Sequence, residues 1–411
     1  MQELMRGQKG LESAKGGVVA AKGFVCAGVA CGLKAAGCKD LAIVASDSGP
    51  VPAAACFTGN IMAAAPVTVS REHIASGTCA AVVINSGGAN ACTGAQGIAD
   101  ARSMAAAVAE RLGQAPTDVL VCSTGVIGAF LPMKNVLSGI TEACEALGSA
   151  DGTAAAEAIM TTDTFAKQAA VSVPVDGGCY TVGGMAKGSG MIAPDMATML
   201  SVITTDAPLT PETCSAVLKR AVSSTFNRLT IDSDTSTNDT VVLMASGKAK
   251  GPVITKGDPR LSVIEDAVLE VCSALVRLLA RDGEGATKLV TVTVAGALSE
   301  EAAEQAARTV ADSPLVKTAV FGQDANWGRV AMAVGRSGVP FDPDDLSIAF
   351  AGIAVCEKGV SVPFDEEEAA VALAEDEIEI SVSIGTGGYA AKVFTCDLTH
   401  GYVQINGDYR T

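Results

Sequence analysis

Short runs of apolar and β-branched residues alternate with longer helix-like segments along most of this 411-residue chain. Runs bounded by polar residues or glycine predict strands at 41–46, 80–86 and 118–124. Segments with apolar residues at every third or fourth position predict helices, and they span 99–113, 133–148, 211–224, 261–280 and 299–312. The alternation of the two kinds of segment favours an α/β fold with mixed β-sheets.

Apolar runs return near the C-terminus at 377–385, 390–398 and 402–406. We interpret these runs as strands of hairpins. At 411 residues the chain has room for two to three domains or for one large α/β body. A gentle break in the pattern falls near 190–200, where a glycine-rich segment gives way to a new predicted strand.

The charge of the chain excludes one large class of partner. It carries 29 basic and 45 acidic side chains, a net charge of −16. Nucleic-acid binding requires a basic face for phosphate contacts, so we expect no nucleic-acid partner. No stretch is apolar enough for a membrane helix, and the first residues lack the apolar core of a secretory signal. We therefore expect a soluble, cytoplasmic protein with no membrane partner.

Cysteine and histidine usage limits the metal and redox chemistry that we expect. The 13 cysteines are scattered singly without a Cys-x-x-Cys pair, which favours reduced, buried side chains over a zinc site or a redox dithiol. His73 and His400 are the only histidines, which weakens both a histidine-based metal site and a Ser-His-Asp triad. We expect no metal and no cofactor.

Two glycine-containing turns carry side chains that suit a small-molecule site. Lys187 in GGMAKGSG (183–190) precedes Gly188, whereas a nucleotide-binding phosphate loop needs Gly-Lys-Ser/Thr in that order. This lysine either contacts an anionic small molecule or is an exposed hairpin lysine. Thr124 and Gly125 end a predicted strand, where a hydroxyl and a backbone N–H can form an oxyanion hole, although such pairs are also common in ordinary turns.

Two further segments leave their roles open. Pro194 interrupts the chain, and the apolar run after it carries a single hydroxyl, Thr198, at the head of a predicted strand. By position alone this threonine is either a buried, β-prone residue or a nucleophile. The acidic segment 232–240 lacks the central glycine and the final glutamate of a calcium loop. We interpret it as a turn in which side chains form hydrogen bonds with backbone amides.

The segment KGSGMIAPDMATM (187–199) strongly resembles the self-cleavage segment of the ornithine acetyltransferase family, the bifunctional glutamate N-acetyltransferases and amino-acid acetyltransferases of arginine biosynthesis. Blocks that look like those of the family follow in family order over nearly the whole chain: GFVCAGVACGLK (23–34), CFTGNIMAAAPV (56–67), VINSGGANACTG (83–94), CSTGVIG (122–128), MTTDTFAK (160–167), TFNRLTIDSDTSTNDT (225–240), RDGEGATK (281–288), DANWGR (324–329) and NGDYRT (406–411). Agreement over this many ordered blocks is highly specific.

The resemblance implies that the chain cuts itself between Ala197 and Thr198 into an α chain of residues 1–197 and a β chain of residues 198–411. It also implies mixed β-sheets packed between helix layers in a self-cleaving, N-terminal-nucleophile-like architecture. Thr198 would be the nucleophile, and its freed α-amine, with a pKa of ~7.7–8.0, would accept the hydroxyl proton without a histidine.

The resemblance also implies roles for the other site residues and for the partners. Thr124 and Gly125 would form the oxyanion hole. The residues that bind substrate would be Thr161, Lys187, Thr198, Glu284, Asn406 and Thr411. The reaction would pass the acetyl group of N-acetylornithine through an acetyl-threonine to glutamate. The partners would be these amino acids and a heterotetramer of two α and two β chains. Acetyl-CoA is a candidate second donor, although no phosphate loop marks a site for it.

Three residues depart from the expected family pattern. Gly88 and Asp195 stand where asparagine is usual, and Ser233 stands where glycine is usual. We expect these departures to affect the fine geometry of the site and not the reaction. Two alternatives stay open: a self-cleaving amidohydrolase or aminopeptidase that passes the acyl group to water, and a non-catalytic amino-acid-binding protein on the same scaffold.

Overall fold

The structure, a computed structural model, describes residues 11–149, 151–175, 177–193 and 199–408. The strands and helices in these ranges follow the alternation of the sequence, and the strands form three β-sheets. None of the helices within the described ranges is long and apolar enough to cross a membrane.

The strands range from two residues at the sheet edges to ten residues in β9. They are β1 (Glu12–Ser13), β2 (Phe24–Val29), β3 (Leu41–Ser46), β4 (Val51–Phe57), β5 (Thr78–Cys79), β6 (Ala81–Gly88), β7 (Val119–Val126), β8 (Lys167–Val175), β9 (Gly178–Lys187), β10 (Leu200–Thr205), β11 (Thr240–Ala245), β12 (Leu289–Ala297), β13 (Ser347–Phe350), β14 (Ile353–Glu357), β15 (Val360–Ser361), β16 (Glu377–Ser383) and β17 (Tyr389–Cys396).

The helices also differ widely in length, and the longest of those described, α6, has 23 residues. They are α1 (Ala65–His73), α2 (Gly94–Leu112), α3 (Met133–Glu145), α4 (Gly152–Ala158), α5 (Pro211–Ser224), α6 (Pro259–Arg281), α7 (Glu300–Ala311), α8 (Pro314–Phe321), α9 (Trp327–Gly335), α10 (Glu366–Ala372) and α11 (His400–Asp408).

Two sheets lie face to face in the centre of the molecule. One has seven strands in the order β1-β8-β9-β10-β11-β4-β5, and the other has four in the order β2-β3-β6-β7. Val202 and Val242 of the larger sheet share a buried cluster with Val44 and Ile84 of the smaller one. Because successive residues of a strand point to opposite faces, the neighbour of Val44, Ile43, lies in the cluster on the other side of its sheet.

Helices cover the outer faces of this pair of sheets. Leu218 of α5 and Leu275 of α6 are buried in one cluster with Ile203 of the seven-stranded sheet. Met104 of α2 and Ile140 of α3 are buried in one cluster with strand β3 of the four-stranded sheet. Each fully buried side chain of this size contributes about 1.5–3 kcal/mol relative to exposure. The predicted arrangement, mixed β-sheets packed between helix layers, is confirmed.

A third sheet of six strands, in the order β15-β14-β13-β16-β12-β17, follows in the second half of the chain. Helices α7, α8 and α9 pack on one of its faces around Val294, Val310 and Val334. Strand β17 also contacts the loop that precedes β11 of the seven-stranded sheet, because Thr230 donates its N–H to the carbonyl of Phe394 at 2.9 Å.

The C-terminal prediction of hairpin strands is wrong in two respects. Strands β16 and β17 form where expected, but β12 lies between them, parallel to β16 and antiparallel to β17. Residues 402–406 lie within the helix α11. A run of five residues is too short to separate a repeat of two from a repeat of 3.6, so its local pattern did not distinguish strand from helix.

The seven-stranded sheet draws on both of the predicted chains. Strands β8 and β9 belong to residues 1–197, and β10 and β11 belong to residues 198–411. Strand β9 pairs antiparallel with β10, with Lys187 opposite Leu200. The break near 190–200 is therefore a connection inside one sheet and not a boundary between separate bodies.

Candidate active site

A cavity of about 360 Å³ lies where the C-terminal ends of β7 and β9 meet the acidic turn at 232–240 and helix α11. Its described lining residues are Ala89, Thr124, Gly125, Ile127, Thr161, Thr162, Lys187, Gly190, Met191, Asp232, Asp234, Thr235, Ser236, Thr237, Asn238, Glu284, Tyr402 and Asn406. These residues come from segments far apart in the sequence, so only the folded chain forms the cavity.

The described residues that the sequence assigned to the site meet in this cavity. They are Thr124, Gly125, Thr161, Lys187, Glu284 and Asn406. The predicted cleavage residues Ala197 and Thr198 lie outside the described residues, as does Thr411.

Thr124 and Gly125 lie at the end of β7, which pairs in parallel with β6. Gly125 has a φ of 126°, and a Cβ there would lie 2.5 Å from the carbonyl carbon of Gly87 on the neighbouring strand. Only glycine fits this close approach of two backbones. A hydroxyl and a backbone N–H are thus held next to each other on the cavity wall, as an oxyanion hole requires.

Lys187 ends β9 and is 3% exposed, so the alternative of an exposed hairpin lysine is wrong. Its Nζ donates to Thr124 Oγ1 at 3.3 Å. Burial lowers the pKa of this lysine, and Asp163, Asp239 and Glu284 act in the opposite direction. An ammonium group buried on the wall of a cavity is a natural partner for a ligand carboxylate.

A buried ion network supports the walls of the cavity. Lys167 Nζ donates to Asp163 Oδ1 at 2.6 Å and to Asp282 Oδ2 at 2.5 Å, and the lysine and Asp163 side chains are fully buried. Asp163 also accepts the N–H of Thr161 at 2.9 Å and of Gly188 at 2.7 Å. Burial alone would raise the pKa of Asp163, but the lysines beside it lower this pKa to about 2.

This network therefore connects three stretches of chain that carry predicted site residues. Asp163 holds the backbone of Thr161 and of the residue after Lys187. Asp282 lies two residues before Glu284 and accepts the N–H of Thr164 at 3.0 Å. Neither spacing nor composition indicated the network.

Glu284 and helix α11 form the opposite side of the cavity. Asn406 Nδ2 donates to Glu284 Oε2 at 2.7 Å, and a Cβ at residue 190 would lie 2.3 Å from the same oxygen. Gly190 thus leaves room for the carboxylate. Tyr402, one helical turn before Asn406, also lines the cavity, and the strand prediction for 402–406 concealed this shared face.

The acidic segment 232–240 forms the predicted turn, in which carboxylates accept backbone N–H groups. Asp232 accepts the N–H of Met191 at 2.5 Å and of Ile192 at 2.8 Å. Asn238 donates through Nδ2 to the carbonyls of Ala89 and Ser123 at 2.6 and 2.8 Å. The turn therefore holds both the end of β7 and the chain that leads toward residue 194. Asn238 and Tyr402 were missed as cavity residues, although Asn238 lies in a family-like block and Tyr402 lies four residues before one.

Two of the three residues that depart from the family pattern, Gly88 and Ser233, lie in the described part of the chain. Ser233 has a φ of 67°, a conformation that favours glycine, and its Oγ donates to Asp312 Oδ1 at 2.9 Å. Gly88 continues β6 beside the cavity, and a Cβ there would lie 2.7 Å from Leu131 Cδ2. Asp195 lies outside the described residues.

The cavity carries charges of both signs. Among its described lining residues, Lys187 is the cation, whereas Glu284, Asp232 and Asp234 are carboxylates. No histidine is among them. A ligand with one carboxylate and one or more amines, such as a basic amino acid, complements this balance.

The sequence model of the ArgJ family matches residues 25–411. The arginine biosynthesis bifunctional protein ArgJ of Symbiobacterium thermophilum is 48% identical over 403 residues, which cover 98% of this chain and 100% of that protein. The protein of the same name from Geobacter sulfurreducens is 47% identical over 391 residues, covering 95% and 99%. The crystal structure of this bifunctional protein from Bacillus halodurans is 43% identical, with a TM-score of 0.51, and covers 52% of this chain and 100% of that chain.

Proposed function

This chain belongs to the ArgJ family, and from that premise we propose that it moves the acetyl group of N-acetylornithine to glutamate through an acetyl ester of Thr198. The single observation that carries the proposal is the composition of the cavity. Thr124 and Gly125 lie there beside one buried lysine and a buried glutamate, a set that suits the polarised carbonyl and both charged ends of an acetylated amino acid.

The reaction follows from the chemistry of a threonine with a free α-amine. Thr198 Oγ attacks the acetyl carbonyl carbon while its proton passes to its own amine. The oxyanion that forms accepts hydrogen bonds from Thr124 and Gly125. When the C–N bond breaks, the proton passes to the departing nitrogen of ornithine. The neutral α-amine of glutamate then attacks the ester carbonyl, its proton passes by way of the Thr198 amine to Oγ, and the bond between the acetyl carbon and Oγ breaks to give N-acetylglutamate and the free hydroxyl.

A free amine at Thr198 requires cleavage of the bond between Ala197 and Thr198. The length of the solved relative from Bacillus halodurans supports this step, because its whole chain corresponds to 52% of the present chain. That is about the share expected of one product of a cut near the middle of the precursor. Asp232 accepts the N–H groups of Met191 and Ile192, which precede this bond in the chain.

The function is tested by incubating the purified protein with N-acetylornithine, with and without glutamate. We expect ornithine and N-acetylglutamate in equal amounts and ping-pong kinetics. Acetate formed equally fast without glutamate would favour the self-cleaving amidohydrolase. An uncleaved chain that binds ornithine without turnover would favour a binding protein.

The proposed reaction needs no cofactor, since Thr198 would supply both the nucleophile and the base. Acetyl-CoA is the second donor that we propose, and the word "bifunctional" in the names of the relatives supports a second activity in this family. N-acetylglutamate formed from acetyl-CoA and glutamate would establish it. Its absence would make the enzyme monofunctional.

Replacing Lys187 with alanine should weaken the binding of glutamate and of N-acetylornithine alike, because both carry an α-carboxylate. Loss of a hydrogen bond to a charged group costs about 1.5–3 kcal/mol, so KM should rise about ten- to hundredfold for each substrate. The matched control is Lys288→Ala, since Lys288 is also buried but donates to the carbonyl of Val320 and does not line the cavity. Unchanged constants for both substrates in Lys187→Ala would remove this lysine from the site.

Deleting residues 409–411 should raise the KM for N-acetylornithine while cleavage at Thr198 continues. We propose that the tail places the hydroxyl of Thr411 at the substrate, and the hydrogen bond from Asn406 to Glu284 brings helix α11 to the cavity. The control is Thr411→Ser, which keeps the hydroxyl and should retain the wild-type KM. A truncated enzyme with wild-type KM and kcat would contradict the assignment, and loss of cleavage would indicate a role in folding.

We propose that the two chains remain together after cleavage and assemble as two α and two β chains. The pairing of β9 with β10 over six residues on each strand supports a stable α–β unit. Size measurement in solution should give twice the mass of the precursor. The 13 free cysteines support our proposal of a cytoplasmic location, where thiols stay reduced.

A further inference from the structure

Strand β7, which carries the predicted oxyanion hole, lies at the edge of its four-stranded sheet. Strand β6 is its neighbour on one side, and none of the described strands pairs with the other side. Successive residues of a strand direct their backbone N–H and C=O groups to opposite edges, so an edge strand presents every second residue outward without a partner strand. The outward groups of β7 therefore need other hydrogen-bond partners.

Side chains of helix α1 occupy the first part of this outer edge. Ser70 donates its hydroxyl to the carbonyl of Val121 and accepts the N–H of the same residue, both at 2.8 Å. His73 Nδ1 lies 2.8 Å from the carbonyl oxygen of Val119 and donates to it, since a carbonyl oxygen only accepts. These two side chains take the place of a partner strand at alternate residues.

Asn238 makes the next contact along the edge, beside the cavity. Its Nδ2 donates to the carbonyl of Ser123 at 2.8 Å and to the carbonyl of Ala89, the residue after β6, at 2.6 Å. By the alternation of the strand, the next backbone N–H on this edge is that of Gly125, which lines the cavity. Asn238 thus holds the peptide group that joins Ser123 to Thr124, directly before the oxyanion-hole pair.

Asn238 has no N–H left for a substrate, although it lines the cavity. A side-chain amide carries two N–H donors, and the two backbone carbonyls accept both. Its Oδ1 accepts the hydroxyl of Thr237 at 2.6 Å, which agrees with this orientation of the amide, and the residue is 6% exposed. Asn238 therefore acts on the site through the backbone of β7.

We infer that Asn238 is a positioning residue that aims the oxyanion hole of Thr124 and Gly125 by holding the carbonyl of Ser123 against the end of β6. The inference rests on the proposed function. Oxyanion-hole donors stabilise a transition state only when they are fixed at the place where the charge develops. Both proposed half-reactions pass through such an oxyanion, so misdirected donors slow the acetylation of the enzyme and the transfer to glutamate alike.

The test is Asn238→Ala, which removes both donors from the edge of β7. We expect a folded and cleaved enzyme whose kcat falls about ten- to hundredfold, because small misplacements of catalytic groups have effects of this order. The KM of both substrates should stay near the wild-type value, since the two half-reactions slow together. Asn238→Ser keeps one donor and should give an intermediate kcat. Intact mass, thermal unfolding and kinetics are measured on the same preparations.

The matched control is Ser70→Ala. Ser70 is as well buried and bonds the same edge of β7, but it does so at Val121, and neither residue lines the cavity. Both alanine variants should unfold at a lower temperature than the wild type, because each leaves buried backbone groups without a partner. The kcat of Ser70→Ala should remain that of the wild type. If Asn238→Ala does not fold, Asn238→Ser is compared with this control in its place.

A cleaved Asn238 variant with the wild-type kcat would overturn the inference alone. An increase in KM at unchanged kcat would also overturn it, since Asn238 would then bind substrate, and so would an equal loss of kcat in Ser70→Ala, which would indicate a general effect on the fold. A folded but uncleaved Asn238 variant would assign the residue to processing instead. A wild-type enzyme that is neither cleaved nor active would overturn the proposed function, and the inference with it.

Discussion

Replacing Thr198 with alanine is expected to leave one intact chain of 411 residues without acetyl transfer, whereas the wild type should separate into chains of 197 and 214 residues. The alanine variant lacks the hydroxyl that both self-cleavage and acetyl transfer would use. Loss of a covalent nucleophile typically lowers kcat by about 10⁴-fold or more. Intact-mass measurement and the transfer assay report the two steps separately.

Thr198→Ser is the control for this prediction. Serine keeps the hydroxyl, and after cleavage it keeps the α-amine, so part of both activities should remain. Active wild-type enzyme that shows only the full-length mass would contradict self-cleavage. Cleavage with Thr198→Ala at the wild-type rate would assign the step to another group.

Replacing Lys167 with methionine should destabilise the protein by about 3–5 kcal/mol, the range typical for breaking a buried ion pair. The substitution leaves the carboxylates of Asp163 and Asp282 buried without their cation. Chemical and thermal unfolding at neutral pH measure the change. We expect the KM of both substrates to rise as well, because Asp163 holds the backbone of Thr161 and of Gly188.

The same variant should show a defined pH dependence. In the wild type the pKa of Asp163 is lowered to about 2, so its contribution to stability is present above its ordinary pKa of about 3.9 and is lost as the pH falls toward 2. Without Lys167 this pKa rises. The difference in stability between wild type and variant should therefore narrow as the pH falls from about 4 to about 2.

The matched control is Lys39→Met. Lys39 and Glu157 also form a short ion pair, at 2.6 Å, but their side chains are 38% and 47% exposed. An exposed pair contributes about 0–1 kcal/mol because water and salt screen it. Equal stability of Lys167→Met and Lys39→Met would show that the buried network does not stabilise the fold.

Local pattern was enough to predict most of the individual elements. The strand predicted at 41–46 and the helix predicted at 211–224 have those bounds in the structure. The helix is long enough for its repeat to be unambiguous, since its buried residues recur on one face, whereas the strand is a short apolar run between polar residues and is buried almost throughout. The helix at 400–408 was missed because the predicted run covered only part of it and its pattern matched either element.

The oxyanion-hole pair and the substrate-binding residues were assigned by resemblance of whole blocks, and the structure brings the described members of that set into one cavity. The roles of Ala197, Thr198 and Thr411 remain predictions. Spacing alone left Lys187 as either an exposed or a ligand-binding side chain, and its burial at the end of β9 rules out the exposed alternative.

Most of the individual strands and helices, the net acidic charge and the block pattern that indicates the family are evident from the amino-acid sequence alone. The packing of the folded chain, by contrast, fixes which polar side chains are buried together. Lys167 and Asp282 are 115 residues apart, and Asp239 meets Met199 across 40 residues. Periodicity reports neighbours within about one helical turn or along one strand, whereas such pairs form only when separate elements pack and exclude water between them.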